Sequence, residues 1–190
     1  MNLPNRITVG RLGLAVVLFI LLELACRGGD GWHWYLAFAL YLVTVLSDGL
    51  DGYLARTRNQ ITAFGRIADP FVDKVVIGGV LVLTADLPAT RAVVPAWLVL
   101  LVIAREFLVS GLRGFLEGRG TDFAARWEGK TKLVVQAFFC GTVLFLPGSR
   151  FDWVAALARG GLWVTAAVTV WSAYSYVRKA QELLRSSTDV

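Results

Sequence analysis

The sequence predicts an all-α, polytopic membrane protein with six transmembrane helices and a short N-terminal interfacial segment, and three observations carry that expectation. Hydrophobic residues fill 56% of the 190 positions and the mean hydropathy is +0.61, while charged residues stop at 17%, well below the roughly 25% that clothes a water-soluble domain. The apolar residues fall into six long runs divided by breakers. Those runs lack period-two alternation, which excludes lipid-facing strands and leaves helices as the way to satisfy every backbone group in hydrocarbon. At about 20 residues per span, six spans use about 120 residues and leave short connections. One membrane domain over residues 1–190 is therefore expected.

The first run, Thr8 to Cys26, follows Arg6 and Arg11 as a signal peptide would, yet it continues without a small-x-small cleavage site and reads as a retained helix. Ahead of it, Asn2 to Arg11 holds Pro4 and alternating polar and apolar residues, and reads as a segment lying along the interface. Trp34 to Leu54 and Ile67 to Ala85 come next, divided by the polar stretch Arg56 to Gln60. Val93 to Phe115 stands between Pro88 and the pair Gly118 and Gly120; Leu133 to Leu146 ends at Pro147 and Gly148; Val154 to Val177 completes the set. Cys26 and Cys140 fall at depths a disulfide does not bridge, and neither reads as redox or metal chemistry.

Basic residues set the orientation. With the N-terminus inside, Arg6, Arg11, Arg56, Arg58, Arg66, Lys74, Arg113, Arg119, Arg126, Lys130, Lys132, Arg178, Lys179 and Arg185 gather at cytoplasmic ends, against only Arg27, Arg91, Arg150 and Arg159 on the far side. This bias places both termini in the cytoplasm. The net charge of +5 then serves anionic lipid heads, and nucleic acid is excluded because the charges lie between apolar runs instead of on a hydrated patch.

Four carboxylates stand where lipid begins: Asp48 and Asp51 close the second run, and Asp69 and Asp73 open the third. A charge at a helix centre costs about 2.5–3.5 kcal/mol to insert, so acids here need counter-charge or water. At about 100° per residue, Asp51, Gly52 and Ala55 fall within about 60° of Asp48, while Gly65, Asp69 and Asp73 drift along a second stripe by about 40° per step. A short turn between the runs makes the helices antiparallel neighbours and brings the acid pairs face to face. Oxygen donors without His or Cys favour Mg²⁺ or Mn²⁺, and four acids suit two such ions clamping a phosphoryl group. Gly52, Ala55 and Gly65 let a bulky ligand approach the backbone, and Arg56 is placed to fork onto its phosphates. The bland alternative pairs these acids with Arg56, Arg58, Arg66 and Lys74, which accounts for the charges but not for the small residues on the same stripes. An ion path through a transporter is the nonenzymatic alternative.

Asp48, Asp51, Gly52, Ala55, Arg56, Gly65, Asp69 and Asp73 reproduce the pattern D-x2-D-G-x2-A-R-x8-G-x3-D-x3-D without a departure in spacing. The chain thereby resembles the CDP-alcohol phosphotransferases. That resemblance implies a six-helix membrane enzyme, often a homodimer, that displaces CMP from a CDP-linked lipid or alcohol with the help of divalent metal. It implies that Asp48, Asp51 and Asp69 are metal ligands, and that Asp73 joins them and acts as general base.

Two further stretches are similar to members of that family whose acceptor is sn-glycerol 3-phosphate: Asn2 to Thr8 with Arg11, and Arg105 to Arg113 followed by Gly129 to Lys132 and Gln136. The similarity implies CDP-diacylglycerol as donor, phosphatidylglycerophosphate and CMP as products, and a site on the cytoplasmic face of the bacterial inner membrane. Inositol phosphate, serine and phosphatidylglycerol are the alternative acceptors. Arg105 lies inside an apolar run, where a guanidinium needs an anion or a polar cavity. Arg113, Lys130 and Lys132 complete an expected pocket for the acceptor's phosphate, against the simpler readings that the lysines snorkel and that Arg105 pairs with Glu106. Asn5 and Thr8 either touch the nucleotide or cap the first helix.

Overall fold

The computed structural model describes residues 3–28, 31–57, 63–85, 87–118 and 127–186, except for the side chains of residues 3–8, 48–57, 63–67, 69 and 186. Among the described residues the chain forms helices only: α1 (Leu3–Cys26), α2 (Trp32–Thr57), α3 (Ala63–Thr84), α4 (Ala96–Glu117), α5 (Trp127–Phe145) and α6 (Asp152–Ser186). Each expected run has its helix, and most helices outlast their runs. Hydropathy marks only the apolar stretch, whereas backbone hydrogen bonds continue into its polar flanks; α6, at 35 residues, is about 52 Å long. In place of a segment set apart from the first helix, α1 begins at Leu3, with Pro4 in the first turn, where a missing N–H costs nothing. After α1, Gly28 turns the chain with φ of 96°, a conformation that glycine adopts without steric cost.

α1 packs against α2 and α3, α5 against α6, α2 and α3, and α4 against α6 and α3. Over the described residues, then, α2 and α3 are brought together mainly through α1, on which both rest. The main core draws Leu18 and Leu22 from α1, Tyr41 from α2, Val80 and Leu81 from α3, Leu98 and Val102 from α4, and Phe139 and Leu144 from α5. Tyr41 ties α2 to α5 by donating its hydroxyl to the Ala137 carbonyl at 2.8 Å. Tyr41→Phe removes one buried hydrogen bond and is expected to lower stability by about 1 kcal/mol, measured as an earlier thermal unfolding midpoint in detergent.

The outer surface is apolar as well. Val16, Val17 and Ile20 on α1, Val43 and Leu46 on α2, Leu100 and Phe107 on α4, Phe138 on α5, and Trp163 and Val170 on α6 are all exposed. Soluble monomers do not display apolar area on this scale. Among the described residues two helices contain stretches long and apolar enough to cross a membrane, Val9–Cys26 and Asp152–Arg185, and Trp32–Ser47 is a shorter apolar stretch. An apolar exterior around an all-helical core makes this a membrane protein. Cys26 and Cys140 are both free thiols.

Candidate active site

A second, smaller apolar cluster joins Val109 and Leu116 of α4 to Tyr176 and Ala180 of α6. Between it and the main core lies a polar layer. On α4 the core ends at Val102 and resumes at Val109, and Arg105 and Glu106 occupy the gap. On α5 the layer holds Lys132 and Gln136, and on α6 Thr165, Thr169 and Ser172, all buried. These residues lie near the middle of α4 and α6 and in the first half of α5, and the packing of α4 and α5 on α6 brings them to one level.

Glu106 is the hub. Its Oε1 accepts from Lys132 Nζ at 2.6 Å and from Arg105 Nη1 at 3.2 Å. Arg105 Nη2 donates to Ser172 Oγ at 2.6 Å, and its guanidinium lies 5.3 Å from the centre of the Tyr176 ring. Gly129 lets that ring approach α5, since a Cβ there would sit 2.8 Å from the Tyr176 hydroxyl oxygen. From α3, Lys74 Nζ donates to Ser110 Oγ at 2.6 Å, and Ser110 donates back to the Glu106 carbonyl at 2.6 Å. Gln136 Nε2 reaches Thr169 Oγ1 at 3.1 Å. Lys74, Arg105 and Lys132 thus gather around the Glu106 carboxylate, with Arg113 and Asp73 within electrostatic reach of Lys74. Among the described side chains positive charge is in excess here, and an incoming anion stabilises such an excess. The Nε atoms of Arg105 and Arg113 are buried without a hydrogen-bond acceptor.

One residue before Lys74, Asp73 extends the layer to α1. Its Oδ1 accepts from Arg11 Nη2 at 2.8 Å. Both line a cleft of about 40 Å³ completed by Thr44, Val45, Val76, Ile77, Leu133 and Ala137. Pro70, inside α3, removes one backbone N–H a turn before Asp73 and so interrupts the helix ladder beside the site.

Of the expected residues, the structure groups Arg105 and Lys132 around Glu106, with Asp73 and Arg113 at the edge of that group near Lys74. Lys130 is not with them: it is exposed, because two residues on an α-helix are about 200° apart and Lys132 already faces inward. Arg105 pairs with Glu106, the simpler alternative, and remains in the cation-rich layer while doing so. The backbone carries Asn5 and Thr8 on α1, Asp48, Asp51, Gly52, Ala55 and Arg56 on α2, and Gly65 and Asp69 on α3; their side chains lie outside the described residues. Asp73 is thus the one aspartate of the quartet with a described side chain, and among the described residues no three His, Cys, Asp or Glu converge. A hard cation suits the described donors, since the cleft offers carboxylate and hydroxyl oxygen and neither imidazole nor thiol. Sequence reasoning passed over Arg11, Lys74, Ser110 and Ser172 as site residues. A cation buried in an apolar helix is the signal that points to Arg11.

Comparison with known proteins decides the family. The description of the CDP-alcohol phosphatidyltransferase family matches residues 1–171. The chain belongs to the CDP-alcohol phosphatidyltransferase family. Within it, the chain is similar to a protein of Bacillus subtilis (strain 168) named CDP-diacylglycerol–glycerol-3-phosphate 3-phosphatidyltransferase, at 34% identity over 98% of each chain. It is similar also to proteins of the same name from Rickettsia bellii (strain RML369-C), at 31% identity over 95% of this chain and 96% of that one, and from Shigella flexneri serotype 5b (strain 8401), at 30% over 95% of each. These CDP-alcohol phosphatidyltransferases match from end to end, so the polar layer falls within the shared region.

Proposed function

We propose that the protein transfers the phosphatidyl group of CDP-diacylglycerol to sn-glycerol 3-phosphate, giving phosphatidylglycerophosphate and CMP, in phospholipid biosynthesis. The observation that carries this reading is the cation-rich layer beside Asp73: Arg105 and Lys132 share the Glu106 carboxylate and Lys74 binds the adjacent Ser110, so that among the described side chains cations are in excess, which suits an acceptor bearing a phosphate dianion. The names of the full-length relatives agree with it. Serine, a zwitterion without a phosphate, would offset less of that charge.

Asp48, Asp51, Asp69 and Asp73 hold two Mg²⁺ or Mn²⁺ ions in this reading. Bound divalent cations supply charge neutralisation at the pyrophosphate and at departing CMP. The chain's own residues do the rest. Asn5, Thr8, Gly52, Ala55, Arg56 and Gly65 receive the CDP-lipid, while Arg105, Arg113, Lys132 and, from the surface, Lys130 draw in the acceptor's phosphate. Asp73 takes the proton from the primary hydroxyl. That oxygen forms its bond to the lipid-side phosphorus in line as the phosphorus–oxygen bond to CMP breaks, and no covalent enzyme intermediate is needed. A layer buried among helices excludes water, which would otherwise hydrolyse the donor.

We further read all six helices as spans within a single domain, both termini and the site on the cytoplasmic face of the bacterial inner membrane, the N-terminal turns of α1 at the interface, and the working unit as a homodimer. Helices of 19 to 35 residues support the spans. The decisive experiment incubates the purified protein with CDP-diacylglycerol, each candidate acceptor and Mg²⁺ or Mn²⁺, and follows CMP release and the lipid formed. Glycerol 3-phosphate is expected to be the preferred acceptor, with release abolished by EDTA and restored by either metal. Activity undiminished by EDTA would overturn the metal assignment; preference for inositol phosphate, serine or phosphatidylglycerol would overturn the acceptor.

A further inference from the structure

We infer that Arg11 is a positioning residue for Asp73, holding its carboxylate in the orientation that receives the acceptor's proton. The inference rests on the role proposed for Asp73 and deepens it. Between Val9 and Cys26, α1 carries only two charged residues. Glu23 pairs with Arg27 near the far end at 2.8 Å. Arg11 points inward: its side chain is 2% exposed, while Val9, Leu12 and Val16 around it on the same helix are exposed. A guanidinium in such a helix is costly to insert and needs a buried function.

The contact is one-sided in access. Arg11 is sealed, whereas Asp73 keeps 22% of its side chain exposed, so a reactant reaches the carboxylate and not the guanidinium. The shared cleft, about 40 Å³, has room for about one water. Arg11 therefore acts through Asp73 and does not grip a substrate phosphate. Val45, Val76, Ile77 and Leu133 line the cleft, and such apolar walls strengthen the 2.8 Å pair by lowering the local dielectric. A fixed cation on α1 restricts the rotamers of Asp73. It also ties α1, 62 residues away in sequence, to the reacting end of α3.

The test follows CMP release, which reports kcat whichever acceptor alcohol proves preferred, so failure of the acceptor assignment and failure of this inference are separate results. Arg11→Ala is expected to lower kcat about 10- to 100-fold, the scale of a misplaced reacting group, with the KM of both substrates and calorimetric CDP binding within about threefold of the wild type. Because the described contact runs from Nη2 to one carboxylate oxygen, Arg11→Lys restores most of the loss and Arg11→Gln does not. In an Asp73→Asn background, Arg11→Ala changes kcat less than about twofold, and thermal unfolding of the same four proteins shows coupling between the two positions. Should Arg11→Ala fail to fold, the Lys and Gln variants carry the comparison. Additive losses in kcat, or a raised KM for CDP-diacylglycerol at unchanged kcat, would overturn the inference.

Discussion

Asp73→Asn is expected to lower kcat about 10²- to 10⁴-fold, the usual contribution of a positioned general base, while CDP-diacylglycerol binding stays within a few-fold of the wild type. The substitution is nearly isosteric. An amide oxygen still accepts from Arg11 Nη2, which stands 2.8 Å from Oδ1, so α1 and α3 remain joined. What is lost is the capacity to receive a proton from the acceptor hydroxyl, together with one of the four charged groups proposed to face the metal ions. Asp69→Asn provides the contrast: as a metal ligand without a proton-transfer role, it is expected to raise the metal concentration needed for half-maximal rate and to weaken nucleotide binding together. Single-turnover CMP release separates chemistry from product release, and saturating Mg²⁺ or Mn²⁺ separates the two aspartates, because excess metal recovers rate in Asp69→Asn but does not replace the proton acceptor lost in Asp73→Asn. Near-normal turnover in Asp73→Asn would remove this residue from the chemistry.

Six apolar runs gave six helices because a long apolar run without period-two alternation satisfies its backbone groups as a helix, and length and composition are both local properties of the chain. The motif likewise located Asp73, and the embedded position of Arg105 announced a buried cation. Pairing was less legible. Asp73 meets Arg11 across 62 residues and Arg105 meets Ser172 across 67, and nothing in the local pattern of either partner names the other. Arg11 counted in the sequence as a cytoplasmic charge and as part of the N-terminal stretch of resemblance, not as a partner of Asp73, because a helix wheel without a neighbour does not say which face is sealed. Lys130 and Lys132 looked equivalent for the same reason; packing of α5 on α6 and α3 buries the second and leaves the first outside. Serines and threonines on α6 carry little signal in hydropathy, yet Ser172 and Thr169 are the polar floor beneath Arg105 and Gln136.

Arg105→Ala is expected to raise the KM for glycerol 3-phosphate about 10- to 100-fold, the equivalent of one charge-assisted hydrogen bond lost to a phosphate, and to move the KM for CDP-diacylglycerol by no more than about threefold. The asymmetry follows from the layer's wiring. Arg105 sits among Glu106, Ser172 and Tyr176, away from the Arg11–Asp73 cleft, so its removal leaves the donor side intact. Lys132 keeps its 2.6 Å bond to Glu106 and Lys74 its bond to Ser110, so the pocket retains positive charge and kcat at saturating acceptor falls less than kcat/KM. Arg105→Lys is expected to recover only part of the affinity, since an ammonium keeps the charge but cannot fork between Glu106 and Ser172 while facing a phosphate. The effect should weaken for a neutral acceptor such as glycerol, because a dianion has more to lose from a missing cation. Equal changes in both KM values would place Arg105 outside the acceptor pocket and reduce it to a structural partner of Glu106.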